Sequence, residues 1–161
     1  KIDLKSFRDR EYRRLGGRIG PILDTIKALH ARGIWLELVT LLVPGFNDSE
    51  DELRDLTAFV AGVSPDIPWH VTAFHPDYKM TDVRPTSAAD LLRAARIGRE
   101  AGLRYVYAGN LPGQVDRLED TRCPSCGLTL VARHGYRILE NRLAGRSTCP
   151  ACDTPIPGRW Q

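Results

Sequence analysis

The chain has 161 residues, enough for one medium domain or a domain with a small appendage, and enough to bury a real core. Its 42% hydrophobic and 27% charged residues exclude a disordered or collagen-like polymer, and a formal charge of +3 is too small to name a partner. No apolar stretch approaches the roughly 18 residues that a membrane helix needs, and the opening Lys1-Ile2-Asp3-Leu4-Lys5 lacks the make-up of a signal peptide, so the chain reads as soluble and cytoplasmic, with no membrane partner.

The first strand-like run covers residues 2–5. A strand begins at once and no methionine precedes it, so the chain reads as the C-terminal part of a longer protein. Next, Ile22, Leu23, Ile26 and Leu29 recur with the helical period, and Gly33 is placed to close that helix in a left-handed conformation. A second apolar run spans residues 34–43. The helix after Pro44-Gly45-Phe46-Asn47 takes Asp48 as its N-cap, has acids from Glu50 to Glu52 at the positive end of its dipole, buries Leu53, Leu56, Phe59 and Val60, and stops near Gly62. A third run covers residues 69–74. The helix that follows starts at Thr86 or Ser87, where Ser87 and Asp90 have capping-box spacing, and ends at Gly102. The fourth run is residues 103–107, and Trp35 and Trp69 read as core aromatics at strand starts.

Strand and helix alternate with short connections, which predicts an α/β fold with a parallel sheet and right-handed crossovers. The strands are near-continuous apolar runs, so the central ones should be covered on both faces, in an open sheet or a piece of a barrel. Four strands do not close a barrel. Ligands of such sheets sit at the C-terminal strand ends. Those ends carry Asp3 and Lys5, then residues 40–45, then His75 with Asp77, Tyr78 and Lys79, then residues 110–113.

All four cysteines fall near the end of the chain, as Cys123-Pro124-Ser125-Cys126-Gly127 and Cys149-Pro150-Ala151-Cys152. Paired CxxC turns with this separation supply the closed thiolate tetrahedron that zinc prefers. Two disulfides fit poorly, because the first 122 residues hold no cysteine and read as cytosolic. A mononuclear iron site of the rubredoxin kind uses similar ligands. Short strands at residues 128–131 and 136–140 around Gly135 complete a zinc ribbon. His134 is surplus to a four-cysteine shell and reads as a surface residue, and the closed shell makes the metal structural. The domain division is 1–115 for the βα units and 116–161 for the ribbon.

Together these motifs resemble a known family. Asp3-Leu4-Lys5, Leu42-Val43-Pro44-Gly45-Phe46-Asn47-Asp48, Trp69-His70-Val71-Thr72-Ala73-Phe74-His75-Pro76-Asp77-Tyr78-Lys79-Met80, Tyr105-Val106-Tyr107-Ala108-Gly109-Asn110 and the terminal cysteine pairs followed by Ile156-Pro157-Gly158-Arg159-Trp160 are similar to the radical S-adenosylmethionine enzymes related to pyruvate formate-lyase activating enzyme, in the AmmeMemoRadiSam-system branch. The resemblance implies a partial (β/α) barrel in which a 4Fe-4S cluster cleaves S-adenosylmethionine reductively to a 5′-deoxyadenosyl radical that abstracts hydrogen from a substrate. It implies S-adenosylmethionine contacts from Asp3, Lys5 and His75, with Lys5 pairing with the methionine carboxylate, Asp3 taking an ammonium or cation, and His75 bonding the ribose. It also implies Memo-like and AMMECR-like protein partners. The CxxxCxxC loop of that family is absent here and is expected upstream of Lys1, so the chain by itself should be inactive.

A different class of function is a non-enzymatic binding module, in which the zinc ribbon touches nucleic acid or protein and the α/β part is scaffold. Arg122, Arg133, Arg137, Arg142 and Arg146 make the ribbon locally basic. The modest total charge and the lack of interleaved exposed aromatics argue against nucleic acid.

Overall fold

The structure is a computed structural model and describes residues 1–160. In chain order its elements are β1 (Ile2–Asp3), α1 (Asp9–Arg14), α2 (Ile19–Ala31), β2 (Leu38–Leu42), α3 (Glu50–Val63), β3 (Trp69–Ala73), α4 (Ala88–Glu100), β4 (Val106–Gly109), β5 (Thr121–Arg122), β6 (Thr129–His134) and β7 (Arg137–Asn141). The first four strands form one parallel sheet in the order β1-β2-β3-β4, and the last three form a separate antiparallel sheet in the order β5-β6-β7. The parallel sheet is open, with β1 at one edge and β4 at the other.

The expectation that the central strands are covered on both faces is not met. Leu38, Thr40 and Leu42 of β2, Trp69, Val71 and Ala73 of β3, and Val106 and Ala108 of β4 are buried, whereas the residues between them are half-buried or exposed. The reason is the two-residue period of a strand: Glu37, Val39, His70, Thr72 and Tyr107 alternate with the apolar set and face the other way. The buried face packs against Ile26 of α2, Leu53, Leu56 and Val60 of α3, and Leu91, Ala94, Ala95 and Ile97 of α4. Each large side chain so buried contributes roughly 1.5–3 kcal/mol. Contact is closest at Gly98 on α4, where a Cβ would meet the Trp69 ring at 2.9 Å, so only glycine lets this helix lie on β3.

Helix signals in the sequence hold, with shifts at the ends. Gly33 follows α2 at φ 68° and Gly102 follows α4 at φ 97°, and the Ser87 and Asp90 capping box is formed. Ser49, not Asp48, caps α3, its hydroxyl accepting from Glu52 N at 3.4 Å. Asp48 is engaged one step earlier, accepting from Gly45 N at 2.8 Å and so closing the turn that leads to the cap. Helix α1 carries no core stripe visible in sequence. It is held instead by Tyr12, which is buried and accepts a hydrogen bond from Lys5 N at 3.0 Å. Strands β2 and β4 begin later than the apolar runs suggest. Trp35 therefore lies before β2, half-buried on the polar side, while Trp69 is fully buried.

Val115 and Leu118 join the core of the parallel sheet. A second small core holds Cys123, Leu130, Val131, Leu143, Cys149 and Ile156, with Trp160 packed against it. Among the described residues, no helix is long and apolar enough to cross a membrane.

Candidate functional site

The strand exits are built by side chains that bridge neighbouring loops. Asn47, buried between β1 and β2, donates from Nδ2 to Lys5 O at 2.6 Å and to Leu41 O at 2.8 Å, and its Oδ1 accepts from Val43 N at 2.7 Å. One amide thus satisfies three backbone groups where two parallel strands end. Asn110, at φ 68°, donates to Ala73 O at 3.1 Å and ties the exit of β4 to β3 in the same way.

Asp3, the last residue of β1, and Lys5, just beyond it, form an ion pair at 3.5 Å with each side chain about half exposed. His75 stands apart from them. Asp3 is level with Val39, and Val39 is level with His70, so the β3 residue across from Asp3 is His70. His75 lies beyond the end of β3, exposed, and its Nδ1 donates to Pro76 O at 3.4 Å. Tyr78, in the loop after it, is exposed and takes φ 50°.

The four cysteines converge. Cys123, Cys126, Cys149 and Cys152 are free thiols whose sulfur atoms all lie within 4.8 Å of one another, with Cys123 to Cys152 at 3.6 Å and Cys126 to Cys149 at 3.7 Å. A single ion bonded to four sulfurs at about 2.3 Å sets them about 3.8 Å apart, so this cage fits one tetrahedral metal ion. It is too tight for an iron-sulfur cluster, whose irons would have to stand between the sulfurs. The two halves share one local geometry. Cys123 N donates to Leu128 O and Cys149 N to Thr154 O, both at 2.9 Å, and the first cysteine of each pair is buried while the second is exposed. The Thr154 hydroxyl, 3.2 Å away, pulls the Cys152 thiol down to about 6. Cys126 has a Leu128 backbone N–H favouring its thiolate, yet the crowd of neighbouring sulfurs pushes it up to about 12. Four thiols in one cage cannot all ionise unaided, and a bound dication supplies the missing charge. His134 is exposed and lies outside this cage, near Gly113.

A third group of residues lies on the polar face of the parallel sheet. Glu37 Oε2 meets His70 Nε2 at 2.7 Å and Glu37 Oε1 accepts from Trp35 Nε1 at 3.2 Å. The hydrogen bond from His70 holds the Glu37 carboxyl below its ordinary range. His70 stacks on Tyr107 with ring centroids 4.8 Å apart. The Tyr107 hydroxyl meets Thr121 Oγ1 at 3.0 Å, and Arg133 donates to that same oxygen at 2.8 Å. This chain of contacts joins the sheet to the ribbon. Its sequence signal is the period of two that sets Glu37, His70 and Tyr107 opposite the apolar residues, a signal masked by the length of the apolar runs.

No protein-family model matches the chain. The chain is 40% identical over 157 residues to an uncharacterized protein of Methanocaldococcus jannaschii, in a match that covers 96% of this chain and 46% of that protein. The chain therefore spans about half the length of the curated relative that it matches. Its fold is similar to the crystal structure of a domain of pyruvate-formate lyase-activating enzyme from Bacteroides vulgatus, with a TM-score of 0.59 and 18% sequence identity over 68% of this chain and 66% of that one. At that identity the likeness is one of fold.

Proposed function

We propose that this chain is the C-terminal portion of a radical S-adenosylmethionine enzyme, a section of a partial (β/α) barrel that carries a structural zinc ribbon. The observation that supports it is the arrangement of the parallel sheet: helices on one face, polar side chains on the other, and strand exits bearing Asp3, Lys5 and His75, in a fold like that of an activating-enzyme domain. Lys5, half exposed at its strand end, is suited to a carboxylate, and Asp3 beside it to an ammonium. His75 offers a ring nitrogen at the exit of β3, across β2 from them, for a hydroxyl at the far end of an extended ligand. The chain's only four cysteines belong to the single-ion cage, so no thiolate remains here for a 4Fe-4S cluster. On this reading the cluster ligands come from sequence upstream of Lys1. When bound, the cluster supplies the electron that cleaves S-adenosylmethionine. The residues of this chain bind and orient that molecule.

The test uses the full-length protein, reconstituted anaerobically with iron and sulfide and reduced with dithionite in the presence of S-adenosylmethionine. Formation of 5′-deoxyadenosine is expected, and Lys5→Met should weaken S-adenosylmethionine binding about tenfold. A reconstituted protein that makes no deoxyadenosine would remove the reading.

A second reading, a ribbon that binds a macromolecule, is favoured by one observation. Strand β7 is exposed along its whole length, and Tyr136, Ile138 and Leu139 stand in solvent beside Arg137. The expected lack of exposed aromatics does not hold at Tyr136. Filter binding to RNA that weakens steeply with salt would support this role, and its absence would count against phosphate contacts.

A further inference from the structure

A cleft of about 630 Å³ separates the polar face of the parallel sheet from the ribbon, a volume in the range of small-molecule sites. It runs from the beginnings of the strands, where Glu37 precedes β2, His70 is the second residue of β3 and Tyr105 precedes β4, along β4 to Gly109 and Asn110. Two of the three tryptophans and three of the five tyrosines line it, far more flat rings than chance placement would bring to one surface. Tyr105 is buried and its hydroxyl has no hydrogen-bond partner among the described residues. A buried polar atom left alone in this way is ordinarily satisfied by a water or a ligand.

The charges of the cleft are unevenly engaged. Glu37 is held by His70 and Trp35, and Glu119 accepts from Gly113 N at 2.9 Å and from Gly135 N at 2.6 Å, so both acids have their oxygens occupied. The Arg133 guanidinium donates only to a hydroxyl and a carbonyl, its backbone N–H being the group that meets the Asp120 carboxylate, and Arg159 is exposed; neither guanidinium forms an ion pair among the described residues. The charge left without an ion-pair partner among the described residues is positive, on Lys1, Arg133 and Arg159 of the same lining as the aromatic rings.

We propose that this cleft binds a planar aromatic anion, its ring against the aromatic lining of Trp35, Tyr107 and Trp160 and its anionic group on Arg133 and Arg159. Stacking selects the flat ring and tolerates variation in its substituents. The guanidinium fork selects a carboxylate or a phosphate. The cleft also reaches the exit of β4 through Gly109, Asn110 and Pro112, but none of Asp3, Lys5 and His75 lines it, and the proposal does not depend on the radical reading, since neither a cluster nor S-adenosylmethionine takes part.

The experiment is calorimetric titration of the intact zinc-loaded protein, without S-adenosylmethionine, with 2-naphthoate and with adenosine 5′-monophosphate. Cyclohexanecarboxylate supplies a charge without a ring, and 2-naphthamide a ring without a charge. At least one aromatic anion should bind saturably and about tenfold more tightly than both controls, and which one does so separates the carboxylate from the phosphate. Arg133→Met and Arg159→Met should each weaken the anion several-fold and leave 2-naphthamide unchanged. Arg159 is exposed, so its variant carries the test should Arg133→Met disturb the ribbon. Equal binding of the controls, no saturable binding of either anion, or displacement of the anion by S-adenosylmethionine would overturn the proposal.

Discussion

Gly127 and Asp153 occupy the same station in the two halves of the cysteine cage. Each follows the second cysteine of its pair, each takes a positive φ, 74° and 56°, and each donates its backbone N–H at 2.9 Å to the carbonyl of the first cysteine. Glycine adopts that conformation freely and aspartate does so at a cost. Asp153→Gly should therefore raise the stability of the metal-loaded protein by about 0.5–1 kcal/mol, and Gly127→Val should lower it by more than about 1 kcal/mol. Thermal unfolding of the two variants beside the parent measures both.

Metal removal should be felt locally. The energy of a structural thiolate site is largely the folding energy of the segment around it. Cys126→Ser, or chelation of the parent, should release the ion and disorder the ribbon. Trp160, whose indole donates to Ile156 O at 3.0 Å, should then shift its emission to the red, while helical circular dichroism from α2, α3 and α4 persists. Retention of a full equivalent of zinc by Cys126→Ser would contradict four-thiolate ligation.

Asn47 makes a third prediction. Its amide serves Lys5 O, Leu41 O and Val43 N, and Asn47→Leu would leave these buried groups without a partner. A loss of about 2–4 kcal/mol in denaturant titration is expected, with weakened anion binding at Lys5 as a second readout. A change within about 0.5 kcal/mol would show that water replaces the amide without cost.

The cap of α4 depends on pH in a defined direction. Arg84, at 2.7 and 3.1 Å, holds the Asp90 carboxyl well below the usual carboxylate range, with the Ser87 hydroxyl and N–H adding to the effect. A lowered folded value means that the stabilisation is complete above the unfolded value of about 3.9 and is lost as pH falls towards the folded one. Asp90→Asn should cost about 1 kcal/mol at neutral pH, a figure kept small because Arg84 is half exposed and screened by solvent. The difference from the parent should narrow on going from pH 5 to pH 2. A difference that is constant with pH would assign the effect to geometry alone.

Local chemistry was legible in the sequence wherever it was self-contained. The capping pair Ser87 and Asp90, the closing Gly33 and Gly102, and the two CxxC turns each announce themselves within a few residues, because each is a contact between near neighbours. What escaped depends on distant partners. Helix α1 is defined by Tyr12 reaching Lys5, and the cap of α3 moved to Ser49 because Asp48 turned back to Gly45. Trp35, Glu37, His70 and Tyr107 became a group only when three strands aligned, and no spacing along the chain encodes that alignment. The exits behaved in the same way: Asp3 and Lys5 are near neighbours in sequence and meet, whereas His75 lies in the loop beyond β3, outside the paired register.

Strand β1 has a hydrogen-bonded neighbour on one side only among the described residues. Its outer edge is a short seam of backbone donors and acceptors, able to recruit a strand from another molecule. At two residues the seam is too short to hold copies of this chain together, so any strand laid along it must be secured mainly by contacts elsewhere.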